Sequence, residues 1–146
     1  MNRRTFTKRA CMVCLGPAIA SLVASCQATH YAEGLLEPNG LSIPASEFLY
    51  TKNNEQRLRE FIIVRHEKLE FPIYLFRLSD QSYSALLMKC THQGAELSAS
   101  GDHLHCPSHG SEYNNKGLVT QGPAEKNLRS FPVSVNNEKI FIDLRS

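Results

Sequence analysis

Residues 90–95, Cys-Thr-His-Gln-Gly-Ala, and residues 106–113, Cys-Pro-Ser-His-Gly-Ser-Glu-Tyr, decide how the rest of this chain reads. They contain Cys90-Thr91-His92 and Cys106-Pro107-Ser108-His109, a C-x-H and a C-x-x-H with 13 residues between them. Two thiolates and two imidazoles suffice to close a metal site. Zinc accepts the same ligands, but its usual pairs are C-x(2–4)-C and H-x(3–5)-H, with like ligands together. Here each stretch offers one Cys and one His, so each can give its thiolate to one metal ion and its imidazole to another. The pattern points to a two-metal centre, with a structural zinc-binding module as the alternative of a different class.

Working outward, residues 89–127 are poor in long apolar runs and rich in Gly, Ser, His, Asn and Pro. Such a segment does not build a core of its own, and one this long inside a small domain implies something that organises it, such as a metal centre. On either side lie short runs rich in β-branched and aromatic residues: Phe61–Val64, Phe71–Leu78 and Tyr83–Met88 before it, Phe131–Val135 and Lys139–Leu144 after it. These predict strands, and Asn136-Asn137-Glu138 predicts a hairpin turn between the last two, because Asn tolerates positive φ. From Gln27 to about Tyr50 the sequence is mixed, with turn signals at Pro38-Asn39-Gly40 and Pro44. The expected division is a targeting segment over 1–25, a tether and entry to the fold over 26–45, with the first edge of the fold at its end, and one all-β domain over 46–146 that carries the metal loops.

The two metal loops resemble the cluster-binding loops of Rieske iron-sulfur proteins, in which two histidines replace two cysteines on one iron of a 2Fe-2S cluster. Beyond them, Asn114-Asn115-Lys116-Gly117 and Gly122-Pro123-Ala124 resemble the continuation of the second loop and the proline loop that covers the cluster from a third side. The resemblance covers residues 84–144; upstream, a general strand pattern agrees. It implies a Rieske-type antiparallel β sandwich or barrel base domain with an inserted loop-rich cluster-binding subdomain at about 89–127. One 2Fe-2S cluster would be held by Cys90, His92, Cys106 and His109, with the histidines at an exposed tip.

The charge of this ligand set has a direct consequence. Two ferric ions, two sulfides, two thiolates and neutral imidazoles sum to zero, whereas four thiolates leave a net charge of about −2, so the mixed set accepts an electron more readily. Rieske potentials accordingly span roughly −150 to +300 mV, against about −400 mV for plant-type four-cysteine centres. By resemblance, Ser111 matches the serine whose hydroxyl reaches a bridging sulfide, and Tyr113 the tyrosine whose phenol reaches the first cysteine's sulfur. In the family that combination accompanies the high-potential members of cytochrome bc and bf complexes, and it implies a potential in the upper half of the range. Such members also pin their loops with a disulfide, whose cysteines would fall at Ala95 and Ser108. Without it, the loops depend on the cluster, on close backbone approach at Gly94 and Gly110, and on the cover around Pro123.

The remaining histidines have plainer readings. His103 and His105 alternate with Leu104 on a short strand and should face the surface, while His30, in the tether, and His66, in a charged turn, have no evident partner.

The N-terminus supplies an address. Arg3-Arg4 followed by Phe6 and Lys8 resembles a twin-arginine (Tat) export signal. The run from Ala10 to Ala24, interrupted by Gly16-Pro17, suits a signal core better than a permanent span. Val23-Ala24-Ser25-Cys26 looks like a lipobox, which makes Cys26 the expected lipidation site of a bacterial lipoprotein on the periplasmic side of the cell membrane. Of five cysteines, Cys11 and Cys14 would be discarded with the signal, leaving Cys90 and Cys106 in the exported domain. Tat carries folded cargo, which is what a protein loaded with iron and sulfide in the cytoplasm requires.

Past Cys26, 12 basic residues face 14 acidic ones, a balance that gives no footprint for nucleic acid. The expected work is one-electron transfer, as a carrier or as the electron-transfer subunit of a respiratory or periplasmic oxidoreductase whose catalysis resides elsewhere. The partner expected is a cytochrome, or a molybdoenzyme of the kind that arsenite-oxidase small subunits serve, with quinol as a further candidate. A chain of this length leaves no room for a mononuclear iron domain, so a terminal oxygenase is not expected. With Ala95 and Ser108 in place of a disulfide, visible colour should bleach at a lower temperature than in disulfide-bearing relatives; colour that survives global unfolding would contradict this.

Overall fold

The computed structural model describes residues 28–145. The export pair Arg3 and Arg4, the cysteines Cys11 and Cys14, and the lipidation candidate Cys26 lie outside the described residues. Eight strands come before the metal loops: β1 (Tyr31–Glu33), β2 (Leu35–Glu37), β3 (Gly40–Pro44), β4 (Leu49–Lys52), β5 (Glu55–Leu58), β6 (Phe61–Arg65), β7 (Ile73–Ser79) and β8 (Ser82–Leu87). Four lie among the loops, β9 (Ser98–Ser100), β10 (His103–His105), β11 (Glu112–Asn114) and β12 (Val119–Gln121). Three close the fold, β13 (Ser130–Phe131), β14 (Val133–Asn136) and β15 (Lys139–Asp143), and a 3-10 turn, Ala45–Phe48, is the helical element among the described residues.

The central sheet runs β1-β6-β7-β8-β13, an outer sheet runs β14-β15-β3-β2, and the loop region forms its own sheet, β12-β11-β10-β9. Side chains alternate across a strand, so a strand buried on both faces reads as a continuous apolar run. Phe61-Ile62-Ile63-Val64 and Ile73-Tyr74-Leu75-Phe76 are such runs. Ile62, Val64, Ile73, Leu75 and Ala85 join Leu41, Ile43, Ile140 and Ile142 of the outer sheet in one core. Ile63, Tyr74, Phe76 and Leu86, one residue out of phase, enter a second core with Leu97, Leu104, Tyr113, Ala124 and Leu128 of the loop region. The base is therefore a β sandwich, and the loop region packs on the free face of its central sheet.

Tyr74 fastens the two parts. Its hydroxyl donates to the Gly101 carbonyl in the turn between β9 and β10 at 2.8 Å. Burial, with the Asp102 and Glu60 carboxylates adding, pushes this phenol well above its ordinary pKa, so it stays a donor. After β12 the chain returns to the base, where β13 pairs antiparallel with β8.

Within 26–45, expected as a tether and entry to the fold, the described residues show how early the fold begins. Residues 31–44 supply three strands, and Leu41 and Ile43 are fully buried. A side chain of even one carbon on Gly40 would lie 1.9 Å from the Ile142 carbonyl oxygen, so glycine is what lets β3 meet β15 there. β1 also departs from the expected antiparallel order, pairing parallel with β6. His30 does have a partner, with its Nε2 2.7 Å from Glu47 Oε2, and its carbonyl accepts from the Ile63 amide at 2.9 Å. His66 accepts the Lys68 amide through Nδ1 at 3.1 Å.

The hairpin at Asn136–Lys139 forms as expected, with Asn137 and Glu138 at φ 46° and 65°. A second hairpin, β4 with β5, turns in the same way through Asn53 and Asn54, at φ 54° and 61°. Tyr74→Phe should lower stability by about 1 kcal/mol, the worth of one hydrogen bond, and the thermal midpoint by a few degrees. An unchanged midpoint in circular dichroism would show that the Gly101 contact contributes nothing.

Candidate metal centre

The two metal loops are copies of one backbone turn. Each is a six-residue tip, 90–95 closing on the bridge between Lys89 and Glu96, and 106–111 closing on the pair His105 and Glu112. In the first, the Cys90 amide donates to the Ala95 carbonyl and the Gly94 amide to the Cys90 carbonyl, both at 2.8 Å. In the second, the Cys106 amide donates to the Ser111 carbonyl at 2.8 Å and the Gly110 amide to the Cys106 carbonyl at 2.9 Å. The fifth position of each turn requires positive φ, which Gly94 and Gly110 adopt at 78° and 80°. Beside the close backbone approach expected of these glycines, the structure shows a conformational role. A Cβ on Gly110 would meet no protein atom within 4 Å and one on Gly94 only the Lys89 stem, so positive φ is what calls for glycine among the protein contacts.

This shared turn brings the four candidate ligands together in two layers. Cys90 and Cys106 open their turns at the base and are buried, at 2% and 1% exposure. His92 and His109 stand at the exposed tips with ring centroids 5.0 Å apart, edge to face. Among the described residues, no three His, Cys, Asp or Glu side chains converge as a single ion would require. A thiol pair inside and an imidazole pair outside fits two metal ions, each with like donors, better than one tetrahedral zinc. On β10, His103 is exposed with Nδ1 3.5 Å from Asp102, and His105 is half-buried; neither joins the four.

Hydrogen bonds converge on the thiol layer. Burial alone would raise the Cys90 thiol, but hydrogen bonds from Tyr113, the His92 amide, Cys106 and the Gln93 amide outweigh it and hold the pKa below its ordinary value. Tyr113 is fully buried with Oη 3.5 Å from Cys90 Sγ. Burial is the main cause that raises its own pKa; Cys90 adds to the rise while Thr91 opposes it. Ser111 is also fully buried, and its Oγ accepts the Ala124 amide at 3.0 Å, which leaves the hydroxyl proton to donate. Pro123, which follows Gly122 through a cis peptide bond, is itself exposed, and Ala124 is the residue of that loop that packs inward.

Thr91, the middle residue of C-x-H, takes a larger part than sequence reasoning gave it. Its Oγ1 donates to the Lys126 carbonyl at 2.6 Å, its amide donates to Tyr113 Oη at 3.1 Å, and the two hydroxyl oxygens are 2.9 Å apart. With its own proton committed to Lys126, Thr91 Oγ1 receives from Tyr113, whose proton is shared between Thr91 and Cys90 Sγ. Thr91 thereby ties the first loop to the second and to residues 122–127. Gln121 adds a tie from β12, donating through Nε2 to the Gly110 carbonyl at 2.9 Å. A small hydroxyl inside a ligand motif is the signal that could have marked Thr91, although spacing alone does not say what it touches.

Comparison with known proteins agrees with this geometry. The family profile of the Rieske [2Fe-2S] domain matches residues 50–132, more than half of the chain. Over 84 residues the chain is 37% identical to the oxygenase component of dicamba O-demethylase from Stenotrophomonas maltophilia, covering 51% of this chain and 25% of that protein. Over 55 residues it is 42% identical to the cytochrome b6-f complex iron-sulfur subunit of Synechococcus elongatus, covering 36% of this chain and 31% of that one. The chain thus spans between 25% and 31% of the length of these curated relatives. Among solved structures, the cyanobacterial plasma membrane Rieske protein PetC3 from Synechocystis PCC 6803 shares the fold, with a TM-score of 0.51 and 24% identity over 57% of this chain and 86% of that one.

Tyr113→Phe removes a donor to Cys90 Sγ without opening a cavity. For a hydrogen bond of about 1–1.5 kcal/mol, the reduction midpoint should fall by roughly 40–60 mV at unchanged iron content. A midpoint equal to that of the parent protein would remove Tyr113 from the tuning of the site.

Proposed function

The chain belongs to the Rieske [2Fe-2S] domain family, and on that premise we propose that it transfers single electrons through one cluster held by Cys90, His92, Cys106 and His109. The observation that carries the reading is the layering of those side chains, thiols buried and imidazoles exposed 5.0 Å apart. The bound cluster supplies a one-electron couple. The chain does the rest: it excludes water from Cys90 and Cys106, and directs hydrogen bonds at the Cys90 sulfur from Tyr113 and two amides. It also presents His92 and His109 where a partner can touch them.

Donors to sulfur favour the extra negative charge of the reduced state, so the arrangement around Tyr113 and Ser111 supports a potential in the upper half of the Rieske range. The proposed site of action is the periplasmic side of a bacterial cell membrane, after Tat export and with a lipid on Cys26. This location is supported by Arg3-Arg4 and by Val23-Ala24-Ser25-Cys26. Among the described residues, no helix is long and apolar enough to cross a membrane. The physiological partner is proposed to be another redox protein that meets the exposed imidazoles.

Electron paramagnetic resonance of the dithionite-reduced protein, with iron and sulfide analysis, tests the reading. A reduced 2Fe-2S signal with mixed nitrogen and sulfur ligation, at two irons per chain and a midpoint above about 0 mV, is the expected result. A colourless protein with stoichiometric zinc after anaerobic purification would replace it with the structural alternative.

A further inference from the structure

Beside the first metal loop lies a groove of about 490 Å³. It is lined by the stretch Cys90–Gly94, which includes His92, and by Leu87, Lys89, Lys126 and Arg129. Three of these lining residues are cations and none is acidic. That is unusual for this molecule: outside the groove, the described residues carry nine Lys and Arg against 14 Asp and Glu. A locally positive hollow on a net negative body sets up a directed field, strongest where low-dielectric walls focus it.

Two of the three cations are held by aromatic rings. The Lys89 stem lies against Gly94, and its Nζ sits 4.9 Å from the centroid of the Phe71 ring. Glu96, opposite Lys89 in the strand bridge, approaches Arg65, 3.9 Å away. The Lys126 carbonyl is fixed by Thr91, and the Arg129 guanidinium lies 4.9 Å from the centroid of the Phe131 ring, with Nη2 3.4 Å from the Leu144 carbonyl. The ring contacts limit motion of the Lys89 and Arg129 side chains, and the Thr91 hydrogen bond fixes the backbone from which the exposed Lys126 side chain projects.

We propose that this groove docks the acidic face of a redox partner protein, so that the partner's carboxylates meet Lys89, Lys126 and Arg129 while its redox centre approaches His92. The proposal rests on the electron-transfer reading above and adds the chemistry of the partner. An anionic membrane surface would also attract these cations, but a bilayer there would cover the exposed imidazoles, closing the way in and out for electrons. A protein surface enters the groove and leaves a contact path to His92.

The test follows oxidation of the dithionite-reduced, cluster-loaded full chain, one electron per ferric haem, by an acidic c-type cytochrome, a basic c-type cytochrome and the uncharged oxidant p-benzoquinone. The rate with the acidic cytochrome should fall at least about tenfold between low and high salt, and the rate with the basic cytochrome should not fall. Lys89→Glu/Lys126→Glu should lower the low-salt rate with the acidic cytochrome about tenfold relative to the rate with p-benzoquinone, a ratio that corrects for the altered driving force. Lys52→Glu/Lys68→Glu, the same charge change away from the groove, should have a much smaller effect. If the groove variant is lost during purification, Lys89→Gln/Lys126→Gln serves in its place with a smaller change in the same direction.

Equal salt dependence with both cytochromes, or equal effects of the groove and control variants, would overturn the docking site while leaving electron transfer intact. Failure to exchange electrons with any oxidant would overturn the reading beneath it. Groove-dependent sedimentation with phosphatidylglycerol vesicles, without a cytochrome effect, would assign the cations to a membrane instead and overturn the partner proposal.

Discussion

The central sheet is buried on both faces, and the position of every functional group follows from that constraint. Strands β6, β7 and β8 send alternate side chains into two different cores, so one set of backbones supports both the sandwich and the loop region. The loop region contributes Leu97, Leu104, Tyr113, Ala124 and Leu128, too little to form an independent core, and gains its stability by covering Ile63, Tyr74, Phe76 and Leu86. Cys90 and Cys106 belong to the same buried cluster. The thiols are thus fixed by packing before any metal is considered, and the histidines, two and three residues further along tight turns, have only the outside available to them.

Within the loops, hydrogen bonds take the place of covalent cross-linking. Thr91, Tyr113 and Lys126 form a connected set that joins the first loop, β11 and the segment after Pro123, and Ser111 receives Ala124 from the same segment. Each bond contributes about 1 kcal/mol net, less than a disulfide typically gives, but these bonds are short and partly shielded from water. One of these groups, Tyr113, also acts on the Cys90 sulfur. Support of the loops and hydrogen bonding to the thiol are therefore coupled at this side chain, and a change made for one will be felt by the other.

Much of this was legible in the sequence. The four ligand candidates, the hairpin at Asn136–Lys139 and the strands on either side of the loops all carry local signals: spacing, positive-φ residues and apolar runs. What escaped reading depends on contacts distant in sequence. Residues 31–44 read only as the entry to the fold because turn signals at Pro38-Asn39-Gly40 and Pro44 interrupt them, yet Leu41 and Ile43 complete a core with Ile140 and Ile142, about a hundred residues away. The β4–β5 hairpin was hidden because its strands are largely exposed and polar, leaving Asn53-Asn54 as its one clear mark. Thr91 is silent in sequence because its importance lies in Lys126 and Tyr113, which the fold brings to it.

The early start of β1 bears on how this domain would search for a partner. His30 is already secured to Glu47 and Ile63, so a lipid on Cys26 would leave three residues, 27–29, between the lipidated position and the fold, four residue spacings or at most about 14 Å when fully extended. A leash that short allows little swinging. Encounters would come from lateral diffusion of the whole domain in the plane of the membrane, and a partner confined to the same surface would meet it at high effective concentration. One arriving from bulk solvent would have to approach from the side facing away from the lipid.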